Sequence, residues 1–310
     1  MTQAAPIFSV IIPTYQRPAL LVRCLEALAQ ARTGRAAYEV LVVDDGSPVA
    51  PAATVAPFRE RMTVRLLRQA NAGPAAARNT GAAEACGEFL AFTDDDCMPA
   101  PGWLDALAGE LRAAPHRMVG GRVRNALPSN LYSCASQAIL DLVYAHYNAN
   151  PLAARFFASD NMALPADTFR ALGGFTPSFR TSEDRDLCDR WLGAGYPLIY
   201  APGAVVAHAH ALTLQAFWRQ HLGYGRGAFR FYRAHARRSA ADSTLDPGFY
   251  LALLRRLPDV LEGRPIGRAA ALAGLLGLWQ AANLAGFVSE AVGSGFGALV
   301  GRRSMRHARR

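Results

Sequence analysis

Residues 88–99 read Glu-Phe-Leu-Ala-Phe-Thr-Asp-Asp-Asp-Cys-Met-Pro, "EFLAFTDDDCMP". The four apolar residues Phe89–Phe92 form a short strand of the kind that is buried on both faces, and three carboxylates follow almost at once. A single Asp after a strand is ordinarily a turn residue or a helix cap. Three in succession repel one another, and a divalent cation relieves that repulsion. Carboxylates at positions i and i+2, here Asp94 and Asp96, can face the same way and share a hard, oxygen-seeking ion such as Mg²⁺ or Mn²⁺. Such an ion also binds phosphate oxygens, so a nucleoside diphosphate is its natural companion.

Outward from this stretch the chain alternates strands and helices. "IFSVIIP" precedes "RPALLVRCLEALAQA", whose Leu20, Leu21, Cys24, Leu25 and Leu28 recur at helical spacing. "YEVLVVDDGS" and "TVRLLRQ" read as strands, "GPAAARNTGAAEA" as a helix with Pro74 in its first turn, and "PGWLDALAGELRAA" as a third helix. Fully apolar strands alternating with helices predict an α/β fold with a mainly parallel sheet covered on both faces. Ligands in such sheets bind beyond the carboxyl ends of the strands, so "PTYQR", "DDGS" and "TDDD" should line one edge. From 116 to 210 the pattern is less regular, apart from a helix at "LYSCASQAILDLVYAHY".

The 310 residues suffice for a sizeable core plus an appendage. Charge is distributed unevenly: residues 1–210 hold 18 Arg against 19 acids, and residues 211–310 hold 15 Arg against 5. The basic excess therefore lies in the last third. Cys24, Cys86, Cys97, Cys134 and Cys188 stand singly, which argues against a disulfide framework or zinc knuckle and suits a reducing cytosol. "MTQAAPIFSVIIPTY" has no basic leader and reads as a strand rather than a signal peptide.

Six segments, "FSVIIPTYQR", "VLVVDDGSP", "NAGPAAARNTG", "FLAFTDDDCMP", "NMALPADTFRALGGF" and "SEDRDLC", resemble in order and spacing the family 2 glycosyltransferases with a GT-A fold, over residues 7 to 225. The resemblance implies a catalytic domain over 1–225, a helical C-terminal extension over 226–310, and a nucleotide-diphosphate-sugar donor. It implies that Pro13, Thr14 and Tyr15 line the nucleoside pocket, that Asp45 contacts the base with Asp44 beside it, and that Arg78 lies near the nucleotide. Asp94 and Asp96 resemble the outer members of the Asp-x-Asp motif around Asp95, with Asp96 favoured as the direct ligand of Mn²⁺ or Mg²⁺. In the Glu183-Asp184 pair the second acid corresponds to the general base. His208 or His210 would complete the metal or diphosphate site, His208 being favoured. Asp160 and Asn161 would touch donor or acceptor sugar.

"SEDRDLCDR" also reads as a helix start, with Ser182 as N-cap and an Asp186–Arg190 pair at i,i+4. One carboxylate opposite a leaving diphosphate suffices for inversion by a single displacement, whereas double displacement needs a second, nucleophilic carboxylate that no motif supplies. The Gln-x-x-Arg-Trp signature of processive synthases is absent, and "FWRQHLGYGRG" stands where it would be sought. Transfer of a single sugar or a short repeat to a hydroxyl of a cell-envelope or lipid-linked glycan follows. A sugar-nucleotide pyrophosphorylase would show a Gly-rich loop after the first strand, which "IPTYQRP" is not. A non-catalytic glycan-binding protein on the same fold would have no reason to keep clustered charge.

Residues 212–238 interleave aromatics with Arg219, Arg226, Arg230, Arg233, Arg237 and Arg238, a pattern suited to an anionic membrane surface or to packing on protein; nucleic acid is not the partner expected. Residues 269–288 are long enough to span a bilayer but rich in Ala and Gly, and Glu290 is the only charge from Ala269 to Gly301. Nucleotide sugars and the tail "GRRSMRHARR" both favour the cytoplasmic side. A shallow hairpin, an interfacial element or homodimer packing would satisfy this, giving a cytoplasmic enzyme peripheral on the inner face of the cell membrane.

Overall fold

The computed structural model describes residues 7–31, 37–114, 116–238 and 247–307. Among these, the chain divides into two compact units after Ala211. The first contains β1 (Phe8–Thr14), α1 (Pro18–Gln30), β2 (Tyr38–Asp44), the short α2 (Ala52–Val55), β3 (Val64–Arg68), α3 (Pro74–Ala83) and β4 (Phe89–Phe92). It continues with β5 (Cys97–Pro99), α4 (Trp103–Ala113), β6 (Met118–Asn125), α5 (Leu131–Tyr147), β7 (Met162–Pro165), α6 (Ala166–Ala171), α7 (Glu183–Gly193) and β8 (Leu198–His208).

The sheet order is β3-β2-β1-β4-β7-β6-β8-β5. The β1 strand pairs in parallel with β2 and β4, β2 with β3, and β6 with β8, while β7 and β5 run antiparallel to their neighbours. The sheet is thus mixed and mainly parallel. Alternation along the strands divides the core: Phe8, Val10 and Ile12 of β1 pack with α1 and α4, and Ile11 packs on the opposite face with α3 and α7. Helices therefore cover both faces. The segment from 116 to 210, where the sequence pattern weakens, supplies β6, β7 and β8, whose short or glycine-interrupted runs carry little period of their own.

The carboxyl ends of the first strands do share an edge. Thr14 is in register with Asp44, and the Asp45 amide donates to the Thr14 carbonyl at 2.9 Å. Gly46 turns there with φ +81°, and a Cβ on it would lie 2.8 Å from the Asn71 amide nitrogen, so only glycine fits.

The second unit contains α8 (Leu214–Arg238), α9 (Pro247–Leu261) and α10 (Ile266–His307). A division at 225/226 would cut through α8, which is one continuous helix. Residues 269–301 likewise lie in a single helix, so the shallow hairpin is excluded. Gly225 and Gly286 let α8 and α10 approach closely: a Cβ on Gly225 would collide with the Asn283 carbonyl, and one on Gly286 with the Leu222 carbonyl. Glu290 accepts from Arg230 Nε at 2.8 Å, which accounts for the lone charge in the apolar stretch. The Ala- and Gly-rich composition thus serves helix pairing. Residues 266–294 are also the one span among the described residues long and apolar enough to cross a membrane. Residues 1–6, the lead-in to the first strand, and 308–310 of the basic tail lie outside the described residues.

Candidate active site

The three acids do not continue β4. The Cys97 amide donates to the Asp94 carbonyl at 3.1 Å, closing a turn over Asp95 and Asp96, so the i and i+2 carboxylates diverge instead of facing one way. Each meets a different partner. Asp94 accepts from Arg78 at 2.6 Å, Asp95 from the Thr14 hydroxyl at 2.7 Å, and Asp96 lies 3.2 Å from His208 Nε2. Arg17, half exposed at the end of the β1–α1 loop, reaches both Asp95 at 3.2 Å and Asp96 at 3.1 Å. The repulsion legible in the sequence is thus met within the protein by two guanidiniums and an imidazole.

These environments separate the acids electrostatically. Burial pushes the Asp95 carboxyl up to about 6 against the opposing pull of Thr14 and Arg17. Burial acts on Asp96 too, but the hydrogen bond and charge of His208 outweigh it and hold the group near 2. Burial would lower His208, yet Asp96 raises it to about 9.

A strand pair builds this contact. Cys97 of β5 is in register with His208 of β8, and the Ala209 amide donates to the Asp96 carbonyl at 2.8 Å. Ligand atoms of Asp96, Cys97 and His208 lie within 4.8 Å of one another. Asp160, just before β7, faces His208 Nδ1 at 3.8 Å, and its Oδ1 is buried with no hydrogen-bond partner among the described residues. Burial lifts its carboxyl to about 6. Asp96, His208 and the spare Asp160 oxygen make a donor set that fits a hard divalent ion. Cys97 lies within the same group, its buried thiol pushed well up, and its soft sulfur is the donor least suited to a hard ion. Asp94 stands outside the cluster, committed to Arg78. His210 also stands outside; its ring stacks on His208 with centroids 4.9 Å apart, and burial with the His208 charge drives it down to about 4.

The second acidic pair reaches the same place through Arg78. This guanidinium is 3% exposed, spans Asp94 at 2.6 Å and Glu183 Oε1 at 2.9 Å, and lies over the Phe175 ring. Burial disfavours its charge, but Asp94 and Glu183 more than compensate. Its side chain bridges the β4 turn to the start of α7. Glu183 is correspondingly fixed. Asp184 is partly accessible, accepts from the Arg185 amide alone among the described residues, at 2.7 Å, and is pushed up to about 7 by burial and the neighbouring Glu183 charge. Ser182 does not cap α7 as the sequence suggests; it adopts φ 67° with no side-chain bond, a conformation that costs energy for a residue other than glycine. The Asp186–Arg190 pair is present at 2.9 Å.

Several of the other candidate residues have partners within the protein. Asp45 spends both carboxylate oxygens on Gln69 Nε2 at 2.7 Å and on the Ala72 and Gly73 amides at 2.9 Å. Asp44 is fully buried and accepts from the Ser47 amide at 3.1 Å, with Arg68 at 3.3 Å. Thr14 is spent on Asp95, whereas Tyr15 is 43% exposed and Pro13 partly so. Asn161 is wholly buried: Oδ1 accepts from Trp103 Nε1 at 2.8 Å, and Nδ2 donates to the Arg122 and Ala204 carbonyls at 3.0 Å. It ties α4, β6 and β8 together and cannot reach a sugar. Arg17 and Cys97 are neighbours of the site that the motif reading passed over, although Arg17 lies on the predicted ligand edge.

A model of the glycosyl transferase family 2 matches residues 9–155, and one of the glycosyl transferase family group 2 matches residues 94–288. The chain belongs to the family 2 glycosyltransferases. It is similar to the pre-mycofactocin glycosyltransferase of Mycobacterium tuberculosis, 31% identical over 225 residues, which cover 71% of this chain and 46% of that protein. It is also similar to the validoxylamine A glucosyltransferase of Streptomyces hygroscopicus, 31% identical over 64% of this chain and 54% of that one. The chain thus spans about half the length of these relatives. Among solved structures, a mannosyltransferase from Pyrobaculum calidifontis in complex with GDP-Man and Mn²⁺ superposes with a TM-score of 0.62 at 22% identity, over 95% of this chain and 81% of that one. The family 2 glycosyltransferase described here therefore has the GT-A fold with a C-terminal helical extension.

Proposed function

We propose that this glycosyltransferase moves a sugar from a nucleotide-diphosphate donor to a hydroxyl of a cell-envelope or lipid-linked glycan, with inversion, one sugar at a time, and with Mn²⁺ or Mg²⁺ as cofactor. The observation that carries this reading is the Arg78 bridge, which joins the turn holding Asp94–Asp96 to the start of α7 holding Asp184. That bridge supports reading the turn as the diphosphate site and Asp184 as the proton acceptor of one site.

In this mechanism Pro13 and the exposed Tyr15 line the nucleoside site. Asp96 and His208, with Asp160, would hold the divalent ion, which when bound neutralises charge on the departing diphosphate. Asp184 takes the proton from the acceptor hydroxyl as that oxygen attacks the anomeric carbon from the side opposite the diphosphate. Glu183, fixed by Arg78, keeps the Asp184 carboxyl basic enough near neutral pH to do this. No sequence motif supplies a second carboxylate for a nucleophilic role, which favours single displacement. The superposing mannosyltransferase, bound to GDP-Man and Mn²⁺, supports the choice of donor class and ion.

The second unit we assign to a peripheral position on the cytoplasmic face of the membrane, with homodimer packing as the competing use of the same surface. Leu284, Val288 and Val292 are 65%, 49% and 57% exposed at four-residue spacing on α10, and the unit is rich in Arg. Alkaline carbonate extraction should release the protein; retention in the pellet would make it an integral protein instead.

The catalytic reading is tested by incubating the protein with UDP-, dTDP- and GDP-linked hexoses and measuring released nucleoside diphosphate, with Mn²⁺ and with EDTA. Release from one donor class that EDTA abolishes is expected. No release from any donor contradicts the reading.

A further inference from the structure

A cavity of about 500 Å³ opens between β6 and α5, lined by Arg122, Arg124, Gln137, Asp141, Tyr144 and Tyr200 among others. Its size is that of a site for one or two sugar rings. Two features connect it to the carboxylate cluster. Asn125, which lines its β6 wall, is in register with His208 of β8. Tyr144, on its α5 wall, accepts the Ala158 amide at 3.0 Å, two residues before Asp160. Asp160 and Asp184 both act on the buried Tyr144 hydroxyl, which burial raises above its usual range. The cavity thus shares its β6 and α5 walls with elements that hold the residues assigned to the reaction.

Its polar groups are unevenly used. Asn125 and Asn148 are saturated by local backbone bonds. Gln137 spends its amide group on the Val123 carbonyl and Asp141, leaving its oxygen as an acceptor. The Arg124 side chain and the Tyr200 hydroxyl make no hydrogen bond or ion pair among the described residues. Arg122 and Arg124 alternate along β6 and so project from one face, both exposed. Asp141, the only acid in the lining, is bonded to Gln137 and lies near Arg122, so the cavity keeps an excess of positive charge.

We propose that this cavity is the acceptor subsite and that it takes a saccharide bearing an anionic group, a carboxylate or a phosphate, which Arg122 and Arg124 bind while Tyr200 and the Gln137 oxygen meet ring hydroxyls. The proposal rests on the transferase reading above and names the acceptor's chemistry. Arg can grip either oxyanion through paired N–H donors, and neither arginine is committed to a structural partner that would have to be broken.

The test uses ligand-observed NMR titration of the full chain with glucuronate, glucose 6-phosphate and glucose, on wild type and on Arg122→Ala/Arg124→Ala. Wild type should bind one or both anionic sugars about tenfold or more tightly than glucose, as loss of a charge-assisted pair implies, and the double variant should lose that preference. Which anion is preferred identifies the acceptor group. Equal affinity for glucose, or an anion preference retained in the double variant, overturns the proposal. Nucleoside diphosphate affinity is measured alongside: if wild type binds none, the transferase reading fails, and if it binds one without discriminating the sugars, only the acceptor assignment fails.

Discussion

The chain ends two apolar strands in runs of Asp, at Asp44-Asp45-Gly46 and at Asp94-Asp95-Asp96, and the two runs do different things. In the first, the carboxylates bind mainly main-chain amides, and Asp45 alone fixes Ala72, Gly73 and the Gln69 side chain. That geometry builds the loop entering α3. In the second, the carboxylates face side-chain cations, Arg78, Arg17 and His208, on three separate elements. Main-chain partners make a carboxylate architectural. Side-chain cations leave it able to exchange partners when a charged ligand arrives.

The sharpest way to test this division is to alter the acid that completes the second region. Asp184→Asn should lower kcat about a thousandfold, the loss expected of a general base. Because the Asp184 carboxyl is raised to about 7, wild-type turnover should fall as pH drops through that value, and the variant's residual rate should not follow it. The stability effect has the opposite sign. Ionising a buried carboxyl whose folded value exceeds the usual one weakens the fold as pH rises from about 4 to 7, so Asp184→Asn should melt higher than wild type at pH 8. A variant that loses both activity and stability would remove Asp184 from the reactive set.

Asp96→Asn comes next. It should lower turnover about a hundredfold, abolish the effect of Mn²⁺ on nucleotide binding and lower the melting temperature at pH 7, because His208 and Arg17 lose their partner. Asp45→Ala should cost about 3 kcal/mol in denaturant unfolding by stranding the Ala72 and Gly73 amides, while leaving the effect of Mn²⁺ in place. If Asp45→Ala proved stable but unable to bind nucleotide, the contrast between the two turns would collapse. The smallest effect is expected for His210→Ala, within about threefold in turnover, because its ring stacks on His208 without joining the cluster.

Much of this was legible in the residues. The strand and helix order from β1 to α4, apart from the short α2 and β5, followed from apolar runs and proline positions, and the ligand edge from the polar residues that end those runs. The carboxylate and histidine cluster was legible only in part. Asp96 and His208 were named, but the turn that swings Asp94 toward Arg78 depends on the Asp94–Cys97 backbone bond, which no periodicity announces. Asn161 read as a sugar contact because "DNMALP" resembles the family's segment beneath the acceptor; its burial depends on Trp103 and on the irregular β6 register at Gly121/Arg122. The continuity of α10 was hidden by glycines that in a single sequence look like breaks but serve close packing against α8.

The central claim is that Asp94–Asp96 forms an ion and diphosphate site while Asp44–Asp45 does not. Calorimetric titration with UDP, dTDP and GDP, each with Mn²⁺ and with EDTA, on wild type and Asp96→Ala, tests it most directly. The account predicts that one nucleotide binds wild type only with the ion and that Asp96→Ala loses this binding. Binding that is indifferent to both ion and substitution, or absent for all three nucleotides, would contradict it.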